Sequence, residues 1–169
     1  MARRKHRHWL MMVSAASLAV SLATCGGAET CTQATCTSGA SMHIPIASSA
    51  ASLTGASVTA CRNVTECYTG PLPAVPSPDS AGASVFFTGT TAVLGTLWQK
   101  ADLSIGLDLE WHLADPSLAV DGDHYVVTLT DAAGTATPLL DKTASYQTTA
   151  PIPNACTPAP ACKMSELVP

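Results

Sequence analysis

Three histidines beyond the N-terminal segment, His43, His112 and His124, are the side chains best suited to chemistry in this sequence. Asp108 and Glu110 precede His112 at even spacings, which place residues on one face of a β-strand. Two imidazoles and a carboxylate could bind zinc or copper, or serve a small hydrolase. A solvated strand face at the end of a hairpin would carry the same residues. We therefore predict no metal, no cofactor and no catalytic residue, and keep the His112/His124 face as the alternative.

A second group of carboxylates could offer oxygen ligands to calcium. Asp121 and Asp123 flank Gly122, and Asp115 lies nearby. The regular spacing of calcium-loop ligands and the acidic residue that ends such a loop are both missing. Asp-Gly is common in turns because glycine accepts positive φ and aspartate bonds to the nearby backbone. This segment is therefore predicted to be a turn.

The familiar enzyme motifs are missing from the sequence. There is no Gly-x-Ser-x-Gly elbow, no paired-histidine zinc-protease helix and no glycine loop for phosphate. Arg62 is the single arginine after position 7, whereas enzymes that act on phosphate or carboxylate groups usually need more cations. Without the four basic residues of the first seven positions, the formal charge is 4 − 12 = −8 with histidines neutral. Such a surface repels phosphate backbones, which argues against nucleic acid as a partner.

The cysteines come as one single residue and three close couples. They are Cys25, then Cys31 and Cys36, Cys61 and Cys67, and Cys156 and Cys162. Structural zinc sites favour about two to four residues between ligands, whereas the gaps here are four, five and five. Disulfides suit an exported chain, and six cysteines allow 15 connectivities. Pairing within each couple is the simplest, but Cys61 or Cys67 could also bond to the C-terminal couple.

The N-terminal segment has the pattern of a signal peptide. A basic start precedes an apolar run, Trp9–Ala23, that is too short for an ordinary membrane-spanning helix. The following Leu22-Ala23-Thr24-Cys25 resembles the lipobox of bacterial lipoproteins, although Thr24 departs from the small residue usual there. The resemblance implies that Cys25 becomes the lipidated first residue, which leaves six cysteines to pair completely. Ordinary cleavage nearby, giving a secreted chain, is the alternative.

The most regular strand pattern lies in two runs, Leu103–Trp111 and Tyr125–Leu129, with apolar residues at every second position. This period of two gives a strand one apolar and one polar face. We predict that the runs pair as an antiparallel hairpin, because one register matches their apolar faces and a slip by one residue would expose one of them. That register pairs Trp111 with Tyr125, Leu109 with Val127, and Leu107 with Leu129. It also places His112 opposite His124 on the polar face.

Shorter strand patterns fill the rest of the chain. Leu53–Cys61 is predicted to be a strand, and the proline-rich segment 71–82 is predicted to be a loop that crosses between sheets. Trp98 and Tyr68 are predicted to be core residues. Seven or eight short strands with turn signals between them predict a single all-β domain, an antiparallel β-sandwich.

The two regular runs also resemble strands B and C of fibronectin type III and related immunoglobulin-like domains, in which Leu-x-Leu-x-Trp is followed by Tyr-x-Val-x-Leu. The matching residues are Leu107, Leu109, Trp111, Tyr125, Val127 and Leu129. The close cysteine couples depart from that family. Taken whole, the chain is similar to exported bacterial lipoproteins with such domains. The resemblance implies an immunoglobulin-like sandwich and carries over no catalytic residue.

These patterns divide the chain into a signal peptide (1–24), a lipidated flexible tether (25–40) and the β-sandwich domain (41–169). The predicted function is that of a non-enzymatic cell-envelope lipoprotein, or a secreted surface module, that binds another envelope protein or a polysaccharide. The predicted location is the bacterial cell envelope, with the N-terminal lipid in the membrane. Trp98 or Tyr68 on the surface would favour binding, whereas a deep polar cleft would favour catalysis.

Overall fold

The structure, a computed structural model, describes residues 37–78, 80–149 and 161–169. This part of the chain forms two β-sheets with one hydrophobic core, which confirms the predicted all-β sandwich. It contains ten strands, where seven or eight were predicted. The strands are β1 (Ser38–Ile46), β2 (Ser57–Arg62), β3 (Glu66–Pro71), β4 (Ala83–Phe86), β5 (Val93–Gln99), β6 (Ile105–Leu113), β7 (His124–Thr130), β8 (Ala136–Thr143), β9 (Gln147–Thr149) and β10 (Cys162–Leu167). No helix in the described ranges has the length and apolarity needed to cross a membrane.

The strands are divided between a six-stranded sheet, in the order β4-β5-β6-β1-β10-β9, and a four-stranded sheet, in the order β3-β2-β7-β8. The pairing of β1 with β10 is parallel, and the other strand pairs are antiparallel. Parallel neighbours need a long crossover between them. Here the crossover contains all the remaining strands of both sheets, so β1 and β10 join the two ends of the domain inside one sheet.

The predicted hairpin between the two most regular runs is wrong. β6 lies between β5 and β1 in the six-stranded sheet, whereas β7 lies between β2 and β8 in the other sheet. From Ile105 onward the predicted buried faces are nevertheless right, whereas Leu103 precedes β6 and is 65% exposed. Trp111 still meets Tyr125, edge to face at 5.6 Å between ring centroids. They meet across the sandwich because alternation reports which face is buried and not which strand is the neighbour.

The core follows this alternation strand by strand. In β6 every odd-numbered residue is buried, and in β1 every even-numbered residue is buried. Trp111 contacts Tyr68 as well as Tyr125, and its indole Nε1 has no hydrogen-bond partner. The largest fully buried side chains are those of Trp111, Tyr125, Met42, Ile44, Leu53, Leu97, Leu107, Leu109, Val58 and Val127. They come from both sheets, so the two layers share one core.

The first strand begins before the predicted start of the domain at position 41. β1 starts at Ser38, inside the predicted tether, and Ser38 and Ala40 are buried. The last strand, β10, lies beside the first half of β1. β10 pairs with β1 only as far as Met42, so Pro45 lies where β1 has a neighbour on one side, and a missing N–H is tolerated at such a site.

Cys61 and Cys67 form a disulfide, as pairing within the couples predicts. They face each other across β2 and β3, with Cα atoms 4.1 Å apart. The alternative, in which one of them bonds to the C-terminal couple, is therefore wrong. Cys162 is also disulfide-bonded. The predictions for Cys25, Cys31, Cys36 and Cys156, and for the signal peptide, lie outside the described residues.

The segment between β3 and β4 passes from the four-stranded sheet to the six-stranded sheet, as predicted for the proline-rich loop. The two sheets also touch at this side of the sandwich. The Thr88 N–H donates to the Thr69 carbonyl at 3.0 Å. A side chain at Gly70 would lie 2.6 Å from the Phe86 carbonyl oxygen, so glycine permits this close approach.

Replacing both Cys61 and Cys67 by alanine should lower the free energy of unfolding by about 2 kcal/mol, because the bond closes a short loop in the unfolded chain. Urea unfolding without reductant, followed by circular dichroism, measures the change. Thr59→Ala with Thr69→Ala is the matched control, because these hydroxyls are hydrogen-bonded at 2.8 Å across the same two strands. An equal loss in both double variants would show that the covalent link adds nothing.

Candidate functional site

The two histidines predicted to face each other lie on opposite outer faces of the sandwich. His112 is on the polar face of β6 and His124 on the polar face of β7, and these strands belong to different sheets. Each pairs with a nearby carboxylate. His112 Nε2 lies 3.0 Å from Glu110 Oε2, and His124 Nε2 lies 2.6 Å from Asp141 Oδ1. The shared His112/His124 face therefore does not exist, because it depended on the hairpin.

The candidate calcium ligands have other roles. Asp115 Oδ1 accepts from the Ser117 N–H at 2.7 Å and caps a short 3-10 helix, Pro116–Leu118. Asp121 Oδ1 accepts from the Tyr146 N–H at 2.7 Å. Across the described ranges, no group of three or more histidines, cysteines or acidic residues is arranged to hold a metal ion. The turn predicted for this segment is present, since the Asp123 N–H donates to the Val120 carbonyl at 3.0 Å.

Asp123 is the centre of a buried polar cluster at one end of the sandwich. Its side chain is 6% exposed, and Arg62 donates to its Oδ2 from Nε at 3.1 Å and from Nη2 at 2.7 Å. Asn63 Nδ2 donates to Oδ1 at 2.8 Å, and the Tyr146 hydroxyl donates to Oδ2 at 3.1 Å. The Tyr125 hydroxyl completes the chain, 2.7 Å from that of Tyr146.

The electrostatics of the cluster favour a charged pair. Burial raises the pKa of the Asp123 carboxyl, but hydrogen bonds from Asn63 and Arg62 and the charge of Arg62 outweigh it and lower that pKa. Burial lowers the pKa of Arg62, but the hydrogen bond to Asp123 together with electrostatic interactions with Asp123 and the two tyrosines outweighs this, and the pKa is raised. Burial also raises the pKa of both the Tyr125 and Tyr146 hydroxyls. The tyrosines therefore stay neutral hydrogen-bond donors, and the cluster is suited to structure rather than to proton transfer.

This cluster joins segments that are far apart in the sequence, and no local pattern predicts it. Arg62 ends β2, Asn63 follows it, and Asp123 precedes β7. The Asn63 side chain accepts from the His124 N–H at 2.8 Å, and Arg62 Nη2 donates to the Leu118 carbonyl. The sequence contained one indication of this cluster. Arg62 is the single arginine after position 7, in a segment with few charges, and an arginine must be paired if the fold buries it.

Trp98 was predicted to lie in the core, but it lies on the outer face of the six-stranded sheet. β5 buries Val93, Gly95 and Leu97, so Trp98 points outward and is partly exposed. Its indole covers Gly106 of β6, where an added Cβ would lie 2.0 Å from Trp98 Cζ2. The glycine leaves room for a flat aromatic ring against the backbone. Tyr68 lies at the edge of the core, packed on Trp111.

Polar side chains surround this ring in a shallow depression. Thr96, Asp108 and His43 are cross-strand neighbours on β5, β6 and β1, and their side chains face outward. His43 Nδ1 lies 2.9 Å from Asp108 Oδ1. Lys100 Nζ lies 5.0 Å from the centroid of the Trp98 ring, a cation–π distance. We call this set, Trp98 with His43, Thr96, Lys100 and Asp108, the Trp98 surface.

An exposed apolar pair lies further along the same face. Phe86 on β4 and Leu94 on β5 are directly paired across the strands, and they are 78% and 48% exposed. Both belong to the polar-facing positions of their strands, where an apolar residue costs solubility. The outer face of the six-stranded sheet therefore has two apolar positions. Phe86 and Leu94 form one, Trp98 forms the other, and hydroxyl groups lie between them.

Asp123→Asn should lower the free energy of unfolding at pH 7 by about 3 kcal/mol, because Arg62 then loses its buried counter-charge and keeps only the partly exposed Glu66, 3.5 Å from its Nη1. The pKa of Asp123 is lowered in the fold, so its contribution is present above the unfolded value of about 3.9 and is lost as pH falls through the folded value. The difference between wild type and variant should therefore shrink below about pH 4.

Urea unfolding at several pH values measures this difference. Asp141→Asn is the control, because that carboxylate pairs with His124 but its side chain is 71% exposed. It should cost less than about 1 kcal/mol. Equal losses for the two variants would contradict the assignment of Asp123 as the buried partner of Arg62.

Comparison with known proteins adds no relative to this geometry. The chain matches no protein-family model, no curated protein sequence and no solved structure.

Proposed function

We propose that this protein is a non-enzymatic module of the bacterial cell envelope, which binds an envelope protein or a polysaccharide through the outer face of its six-stranded sheet. One observation carries the proposal. Trp98 lies on that face, partly exposed and supported by the backbone at Gly106, instead of in the core. Tryptophan in such a position is typical of recognition surfaces, since it gives a large contact area with little loss of side-chain entropy.

The polar residues around Trp98 support binding over catalysis. The depression is shallow, and His43 and Asp108 are both well exposed, with side chains 57% and 40% accessible. A general base works best in an enclosed site, where its pKa is shifted and water is excluded. Within the described ranges, the titratable side chains of the Asp123 cluster are the buried ones, and they are engaged in structural hydrogen bonds.

A lipid on Cys25 would attach the module to the membrane. β1 starts at Ser38, so about a dozen residues would link the lipid to the domain and span up to roughly 40 Å when extended. The segment 26–37 contains no large apolar residue that would fold against the domain. The lipid would thus keep the module at the membrane surface.

The alternative function, a metal-binding protein or hydrolase using His112 and His124, loses its support with the hairpin. The two histidines lie on strands of different sheets. No other observation in the described ranges favours that alternative.

The binding proposal is tested on the full chain carrying Cys25→Ser, which removes the anchor, by co-sedimentation with envelope fractions. Trp98→Ala should reduce the bound fraction several-fold, since truncating a central tryptophan typically removes much of the binding energy. Leu118→Ser is the control, because Leu118 is 47% exposed in the connection between β6 and β7, away from the sheet face. Equal binding by the parent and the Trp98 variant would contradict the proposal.

The anchor is tested by cell fractionation and intact mass. The native chain should appear in the detergent-extracted membrane fraction with a mass that starts at Cys25 and includes acyl chains. Cys25→Ser should move the protein to the soluble fraction. Thr24→Ala is the control, since it brings the sequence closer to the lipobox and should keep the protein in the membrane. A non-acylated native product would refute lipidation.

A further inference from the structure

We propose that the ligand of the Trp98 surface is a neutral glycan chain, with Trp98 as the stacking platform. This inference rests on the proposed function, in which the outer face of the six-stranded sheet is the binding surface. Of the two ligand classes in the proposed function, the Trp98 surface fits a polysaccharide better than a protein, and an uncharged polysaccharide better than an acidic one.

The Trp98 ring is supported by the backbone of the sheet. The Trp98 indole lies against Gly106, where no side chain separates the ring from the β6 backbone. The ring therefore rests directly on the sheet backbone, which supports it from below. The π face of an indole is electron-rich, and the C–H groups of a pyranose ring carry partial positive charge, so the two flat surfaces attract each other. Lys100 is exposed and flexible, and it can move from the ring to donate to a sugar hydroxyl.

A row of polar side chains lies beside the Trp98 ring. Thr96, Asp108 and His43 follow one another across three adjacent strands. After the bond between His43 Nδ1 and Asp108 Oδ1, His43 still has Nε2, Asp108 still has Oδ2, and Thr96 still has its hydroxyl group. Donors and acceptors at fixed positions next to an aromatic platform are what a sugar needs, because its rim carries hydroxyls and its faces are apolar.

The apolar positions of this face are spaced apart along β5. Leu94 lies four residues before Trp98 on β5, which corresponds to roughly 14 Å along the strand. Leu94 is paired with the exposed Phe86, and Thr96 lies between Leu94 and Trp98 on the same face. A protein interface usually has one contiguous apolar centre with a polar rim. Two apolar positions separated by hydroxyl groups instead fit an extended chain of repeating sugar units lying along β5.

The charge of the outer face disfavours an acidic ligand. The outward carboxylates of this face include Asp108, Glu110 and Glu166, and Lys100 is the lysine beside Trp98. Asp108 lies 2.9 Å from His43 Nδ1 and Glu110 lies 3.0 Å from His112 Nε2. An acidic polysaccharide would meet these carboxylates against one lysine, so like-charge repulsion disfavours it at moderate ionic strength. A neutral glycan meets no such penalty.

The test is isothermal titration calorimetry of the full Cys25→Ser chain with cellohexaose and chitohexaose, with their disaccharides, and with polygalacturonate as the acidic probe. At least one neutral hexamer should bind, and more tightly than its dimer, because only the longer chain reaches Leu94. Trp98→Ala should weaken binding by at least about tenfold. Leu94→Ser and Thr96→Val, which leave the seat of the indole intact, should each weaken it several-fold, and Leu118→Ser should leave it unchanged.

The inference is overturned if neither neutral hexamer binds, if polygalacturonate binds more tightly, or if the Trp98, Leu94 and Thr96 variants bind like the parent. Co-sedimentation separates this failure from that of the proposed function. Trp98-dependent binding to envelope fractions without glycan binding would leave the binding module standing with a protein as its ligand. Loss of both signals would refute the binding module together with its glycan ligand.

Discussion

Trp111 on β6 packs against Tyr125 on β7 and against Tyr68 on β3, each with ring centroids 5.6 Å apart. These rings belong to both sheets, so their contact sets how closely the two layers approach. The strands beside Trp111 adapt to its size. Its cross-strand neighbours in the same sheet are the smaller Ala40 and Val93, and at Gly39 an added Cβ would lie 1.7 Å from the Trp111 carbonyl oxygen. Close packing of this kind allows little change at the centre of the sandwich.

Much of the fold can be predicted from the period of two in the sequence, because burying one face of each strand is a local requirement. The inward positions of β6 and β7 were right for that reason. Their pairing was wrong because the same faces can be buried either side by side in one sheet or opposite each other in two. The sequence between Leu113 and His124 does not distinguish these cases, since it can turn back along one sheet or cross to the other. The β10 strand was missed because its neighbour, β1, lies at the far end of the sequence.

The candidate site was harder to predict than the fold. Trp98 follows Leu97 directly, so a run of adjacent apolar residues gave no indication of which one faces water. Gly95 and Gly106 obscured the alternation of apolar and polar residues in β5 and β6. The Trp98 indole can lie flat on the sheet because Gly106 has no side chain beneath it. The Arg62–Asp123 pair depends on two segments that meet only in the folded chain. Single residues could be identified as candidates, but their contacts come from topology.

The central position of β1 has a consequence for the order of folding along the chain. β1 pairs with β6 and with β10, and the partners Gly39 and Met164 are separated by nearly the whole domain. Closing so long a loop costs conformational entropy before the pairing of β1 with β10 can stabilise the sheet. The six-stranded sheet therefore stays incomplete until residues 162–167 are available. Until then, the first half of β1 has a partner strand on its β6 side only, which leaves a strand edge open to pairing with another chain.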